Sequence, residues 1–148
     1  PEGPLCSCGR HGCLDAFASE IAMNKEYKAR CIKAGNYNAE EERHRTVLDF
    51  IDKAEQGEEI SCQILKQSAF YIGIAVANMI KTLEVTTVII GGYPQIKDSE
   101  FIKEIKETAR QYMMRGYENE IDIRVGSLKQ PMTLPLSQQY FYGTYSNQ

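Results

Sequence analysis

The sequence predicts a helix-rich α/β fold, and three observations carry that prediction. Apolar residues recur at helical spacing over two long stretches, 14–33 and 60–80. Two short runs rich in β-branched residues, Thr86–Ile90 and Ile121–Val125, stand on either side of a further helical pattern. Hydrophobic residues fill 43% of the 148 positions, enough for one core of ordinary size.

Composition narrows the function classes. With 20 acidic residues against 17 basic ones, the net charge is −3 and no polycationic footprint for nucleic acid exists in this segment. The longest apolar run is broken by Asn78 and Lys81, so no membrane span is expected. No secretory leader is visible, and the expected location is the cytoplasm. The first residue is Pro1, so the chain reads as a piece of something longer.

The elements follow in order. Cys6-Ser7-Cys8-Gly9-Arg10-His11-Gly12-Cys13 opens the chain as a tight loop, 6–13, and holds three of the five cysteines. An odd total fits no closed disulfide framework, and Cys6 and Cys8 are too close for easy pairing. Thiolates converging from a loop that Gly9 and Gly12 allow to curl suit a tetrahedral zinc site. Zinc takes four ligands and the loop offers three thiols; His11 could be the fourth, or a solvated residue on the outer bend. His44 reads as a surface residue, and Cys31 and Cys62 as small buried hydrophobes within helices.

A helical segment, 14–83, comes next. Leu14, Phe17, Ala18, Ile21 and Ala22 predict one amphipathic helix from Leu14 to about Lys33, closed by Gly35-Asn36. Residues 36–45 read as a polar connector, and the acidic run Glu40–Glu42 as a solvated face. Thr46 is placed to cap a short helix from Val47 to Gln56, with Asp49 in the capping-box position and Gly57 as the stop. Ile60, Ile64, Leu65, Ala69, Ile72, Gly73, Val76, Ala77 and Ile80 predict a long helix. Its small residues Ala69, Gly73 and Ala77 recur every fourth position and invite close approach by a neighbour.

A βαβ unit, 86–125, follows. Thr86–Ile90 predicts a buried strand, Ser99 an N-cap, and Phe101, Ile102, Ile105, Ala109, Tyr112 and Met113 a helix. Ile121–Val125 alternates and predicts a second, parallel strand. The tail, 126–148, is broken by Pro131 and Pro135; a short final helix from Ser137 would pack Tyr140, Phe141, Tyr142 and Tyr145 on the body. Two strands make a poor sheet on their own, so an exposed strand edge is expected, protected by self-association or crystal contacts.

The segment Pro4 to Ser19 resembles the zinc signature of the ROK family, which unites bacterial sugar kinases and sugar-responsive transcriptional repressors. That signature reads Cys-x-Cys-Gly-x-x-Gly-Cys-x-Glu, then an Ala/Ser-rich helix start. A second likeness runs from Ile72 through Ile80 to Val88-Ile89-Ile90-Gly91-Gly92. The resemblance implies a partial actin-like (ribonuclease H-like) lobe, the C-terminal part of the second lobe, whose first three strands would precede Pro1. It implies structural zinc on Cys6, Cys8 and Cys13, with the fourth ligand an upstream histidine. Asp15 stands where the family has a glutamate that hydrogen-bonds sugar hydroxyls. A carboxylate accepts from vicinal hydroxyls, but Asp reaches about 1.5 Å less than Glu by one bond of chain geometry.

Gly91-Gly92 matches a pair that lets nucleotide approach the backbone in family kinases; kinases carry a third glycine where Tyr93-Pro94 stands here. No catalytic base can be named within the chain, because the resemblance puts it upstream. Two family readings follow. One is the C-terminal effector-sensing part of a sugar-responsive transcriptional repressor, binding a sugar or sugar phosphate and contacting DNA only through a separate N-terminal domain. The other is the same part of an ATP-dependent sugar kinase using ATP and magnesium. Asp15 and Tyr93-Pro94 lean toward the repressor. A homo-oligomer is expected under either. A zinc-loop interaction module without a small-molecule ligand is the reading outside the family, and the βαβ unit argues against it.

Overall fold

The computed structural model describes residues 3–38, 44–117 and 121–127. The predicted final helix, the aromatic tail and the acidic run Glu40–Glu42 lie outside the described residues. Among those described, the order is α1 (Asp15–Ala18), α2 (Glu20–Ala34), α3 (Val47–Glu55), α4 (Glu59–Leu83), β1 (Thr87–Ile90), a 3₁₀ turn (Pro94–Asp98), α5 (Glu100–Gln111) and β2 (Asp122–Val125).

The single helix expected from Leu14 is two. Ser19 leaves helical geometry at φ −75°, ψ 159°, and its hydroxyl accepts from the Ala22 N–H as the N-cap of α2. The break changes the face that is buried. Leu14 and Ile21, expected on an inward stripe, are 45% and 66% exposed, and α2 buries Met23 and Cys31 instead. Gly35 ends α2 in the left-handed region, where the Asn36 N–H reaches the Cys31 carbonyl at 3.1 Å.

Thr46 caps α3 as expected. The Thr46 hydroxyl accepts from the Asp49 N–H, while the Asp49 carboxylate accepts from the Thr46 N–H at 2.8 Å. Asn24 ties this entrance to α2: its amide donates to the Arg45 and Glu20 carbonyls, and its oxygen accepts from the Arg45 N–H.

The 25 residues of α4 are long and apolar enough to cross a membrane by length and composition alone. The helix is instead the spine of the fold. It packs against α1, α2, α3, α5 and β1, burying Ile64, Leu65, Ala69, Gly73, Val76, Ala77 and Ile80. One core joins Met23, Phe50, Ile64, Ile102 and Ile105 from α2 to α5. A second joins Val76, Ile80, Ala109, Ile121 and Ile123 between helices and sheet.

β1 and β2 are parallel, with Thr87 opposite Asp122 and Ile90 opposite Val125. With α5 between them they form the expected βαβ unit. The strand expected to be buried is covered on one face only: Val88 and Ile90 pack inward, while Ile89 is 67% exposed. Among the described residues the sheet has two strands, so the outer edge of each lacks a strand partner. The 3₁₀ turn was not expected; Pro94 starts it with its fixed φ, and Ile96 anchors it in the core. Tyr112 and Met113 fall just beyond α5, which ends at Gln111.

Candidate metal centre

The Cys-rich loop is a miniature hairpin. Leu5 and His11 form an antiparallel bridge, the Cys6 N–H donates to the Arg10 carbonyl at 2.8 Å, and the Gly12 N–H donates to the Pro4 carbonyl at 3.1 Å. The chain reverses through Gly9 at φ +81° and leaves through Gly12 at φ +75°, two positions that L side chains rarely adopt. Gly3 closes the base. A Cβ on Gly3 would stand 2.8 Å from the Gly12 Cα.

This backbone gathers the Cys6, Cys8 and Cys13 sulfurs within 4.8 Å of one another. The Cys8 and Cys13 sulfurs are 3.6 Å apart. Two thiolates on a tetrahedral zinc with bonds of about 2.3 Å stand about 3.8 Å apart, so the pair fits such a metal. Cys6 is buried, Cys13 half-buried and Cys8 exposed, so the cluster opens to solvent on the Cys8 side. The thiols are not equivalent. The Cys8 backbone N–H, then the Cys8 thiol, favours the Cys6 thiolate and lowers its pKa, whereas hydrogen bonding with the Cys8 thiol, aided by burial, pushes the Cys13 thiol up to about 11.

His11 is not brought into the cluster. Its Nδ1 lies 2.8 Å from the Gly3 carbonyl. His44 is exposed and pairs with Glu20 at 3.6 Å, a surface role as expected. Cys31 is buried, and the half-buried Cys62 thiol points to the Ala54 carbonyl at 3.6 Å.

Asp15 opens α1 immediately after the loop. Its Oδ2 is 3.8 Å from the Cys6 sulfur, so its carboxylate turns back over the thiol cluster. Beside it lies an open hollow of about 380 Å³, lined by Leu5, Cys6, Ser7, Phe17 and Ile21 among others. A carboxylate at the rim of such a hollow can accept hydrogen bonds from ligand hydroxyls. Sequence reasoning assigned no role to Gly3 or Leu5 and read Phe17 only as a residue of the apolar helix stripe. The Gly3–Gly12 contact and the Leu5–His11 bridge pair residues across the loop, and no local spacing signals them. Phe17 stacks on Tyr71 of α4 with centroids 4.4 Å apart and seats the loop on the spine.

Gly91 and Gly92 lie at the carboxyl end of β1, and neither lines the hollow beside Asp15. Among the described residues beyond their chain neighbours, no atom lies within 4 Å of a Cβ built on either. Tyr93 then turns inward onto the core, and burial, followed by the neighbouring Glu20 carboxylate, raises its pKa.

The pattern of the ROK family matches residues 1–134. Curated relatives include a glucokinase of Halalkalibacterium halodurans, 26% identical over 86% of this chain and 40% of its own. A xylose repressor of Caldicellulosiruptor bescii is 29% identical over 84% of this chain and 32% of its own. The chain therefore spans about a third to two-fifths of these two relatives. A ROK family transcriptional regulator, homologous to the E. coli MLC protein, superposes with a TM-score of 0.69 at 25% identity over 84% of this chain and 32% of that one. A ROK family glucokinase from Streptomyces griseus, solved with glucose and AMPPNP, shares the fold with a TM-score of 0.69 at 19% identity, over 87% of this chain and 44% of its own. Repressors and sugar kinases thus stand side by side among the relatives. The pattern spans the Cys loop, α4 and the βαβ unit together, and on that evidence this chain belongs to the ROK family.

Proposed function

We infer that this chain is the C-terminal, effector-sensing part of a ROK-type sugar-responsive transcriptional repressor. The observation that carries the reading is the segment after β1. Where a third glycine would leave backbone open to nucleotide, the half-buried Tyr93 packs against the core and Pro94 starts a 3₁₀ turn. In the whole protein, Asp15 would accept from hydroxyls of a sugar or sugar phosphate. Cys6, Cys8 and Cys13 would hold a structural zinc, with a fourth ligand from upstream residues. DNA would be contacted through an N-terminal domain, and the whole would act as a homo-oligomer in the cytoplasm.

A sugar kinase is the second reading, and the lack of any described atom beyond the chain neighbours within 4 Å of a Cβ built on Gly91 or Gly92 favours it. ATP and magnesium would then be required, with the catalytic base upstream. The test is made on the full-length protein. Operator DNA retention that changes with added monosaccharide, without transfer of phosphate from ATP, is the expected result. Turnover of ATP to a sugar phosphate would establish the kinase reading instead.

A further inference from the structure

We propose that Cys8 and Cys13 are a reversible oxidation site, closing a disulfide that competes with metal for the thiol cluster. The competition rests on the metal reading above; the disulfide rests on the loop alone. The two sulfurs stand 3.6 Å apart. A disulfide needs about 2.05 Å, so they must close by about 1.5 Å. The loop has room for this. Cys8 is exposed and Cys13 half-buried, and among the described residues beyond its chain neighbours no atom lies within 4 Å of a Cβ built on Gly9 between them.

Cys6 is the protected member. It is buried, its sulfur faces the Ser7 hydroxyl and the Asp15 carboxylate, and its N–H is held by the Arg10 carbonyl. Pairing Cys6 with Cys8 would also span a single intervening residue, which disulfide geometry resists. Solvent access therefore selects Cys8 as the first sulfur attacked or attacking.

The oxidant is a low-molecular-weight disulfide. The Cys8 thiolate attacks one of its sulfurs, forming a mixed disulfide and releasing one thiolate, which takes up a proton. The Cys13 thiolate then attacks the Cys8 sulfur, closing Cys8–Cys13 and releasing the second thiol. The two cysteines together give up two electrons and two protons, and the small disulfide becomes two thiols. Metal bound to the thiolates withholds both nucleophiles, and the disulfide withholds two ligands.

The test uses the 148-residue chain. Reduced, metal-free protein is treated with glutathione disulfide, digested with trypsin without reductant and analysed by mass spectrometry. Arg10 lies between the two cysteines, so a Cys8–Cys13 disulfide joins peptide 1–10 to peptide 11–25. The expected product is that joined pair, retained in C6S, lost in C8S and reversed by dithiothreitol. Joined peptides that persist in C8S and vanish in C6S would overturn the assignment, as would glutathione adducts alone. In a parallel arm the full-length protein, which carries the upstream fourth ligand, is first titrated with zinc, and metal release is read with a chromogenic chelator. Zinc should slow the joining about tenfold or more, with release in step with oxidation. Joining at an unchanged rate with zinc bound would refute the competition. Full-length protein that binds no zinc, together with a chain that joins Cys8 to Cys13, would sink the metal reading and leave the disulfide established.

Discussion

Gly73 of α4 and Thr108 of α5 meet so closely that a Cβ on Gly73 would lie 2.6 Å from the Thr108 Cβ. The Ile105 carbonyl would lie 2.9 Å away. The missing side chain sets how near α4 and α5 can run, and the two cores are built on either side of that crossing. Gly73→Ala gains up to about 1 kcal/mol of helix propensity. It incurs overpacking of about 1–3 kcal/mol against atoms that cannot swing away. The variant should unfold at lower urea concentration than the parent. Thr108→Ala keeps the Cβ, so Gly73→Ala should still destabilise when added to it. A double variant as stable as Thr108→Ala alone would show that the helices part freely at this point.

The capping box at α3 gives a second prediction. Thr46→Ala removes the acceptor for the Asp49 N–H and one donor to the Asp49 carboxylate. The loss should be about 0.5–2 kcal/mol in chemical denaturation, and Thr46→Ser should recover most of it. Equal stability of the Ala and Ser variants would mean that packing of Val47 and Phe50 alone fixes the start of the helix.

These two sites also show what was legible in the sequence. The Thr46–Asp49 pair and the small-residue repeat on α4 are local patterns, and both are realised, because caps and helix faces depend on spacing along one element. The split at Ser19 was not legible. A serine inside an apolar periodic run fits a helix interior and a cap alike, and here its hydroxyl accepts from the Ala22 N–H as a cap. In the loop, Gly9 and Gly12 signalled curvature and the cysteine spacing signalled convergence. The closure by Gly3 and the turning of Asp15 toward Cys6 needed three dimensions. His11 was ambiguous for the same reason: its partner, the Gly3 carbonyl, belongs to the opposite arm of the hairpin.

Asn24 separates a hydrogen-bond effect from a packing effect. Its amide donates at 2.7 Å to both the Glu20 and Arg45 carbonyls, and its oxygen accepts from the Arg45 N–H at 2.8 Å. Asn24→Ala loses all three bonds and should cost about 1–3 kcal/mol. Asn24→Asp keeps the acceptor but turns an anionic oxygen on two carbonyls. It should be the less stable of the two at neutral pH, and it should recover toward Ala as the carboxylate is protonated in acid. Thermal unfolding at pH 7 and pH 4 reads the comparison. Asp more stable than Ala at neutral pH would refute the two-carbonyl geometry.

Metal binding is the prediction with the largest expected effect. Three thiols within 4.8 Å of one another should take up one divalent ion, releasing protons as they do so. Cobalt(II) gives a direct readout, because thiolate ligation produces an intense sulfur-to-metal absorption that oxygen ligands lack. Cys8→Ser and Cys13→Ser should each weaken that band and lower affinity, since each removes one of the two sulfurs already set 3.6 Å apart. His11→Ala should change neither, because the ring faces the Gly3 carbonyl outside the cluster. Ion present at a hundred times its dissociation constant should stabilise the fold by about 2.7 kcal/mol, and a chelator should abolish the gain. The gain should show first in the loop and α1. Phe17 couples these to α4 through Tyr71, so an ordered loop strengthens the seat of the long helix. A cobalt spectrum that His11→Ala abolishes and Cys8→Ser leaves intact would place the metal elsewhere than on these sulfurs.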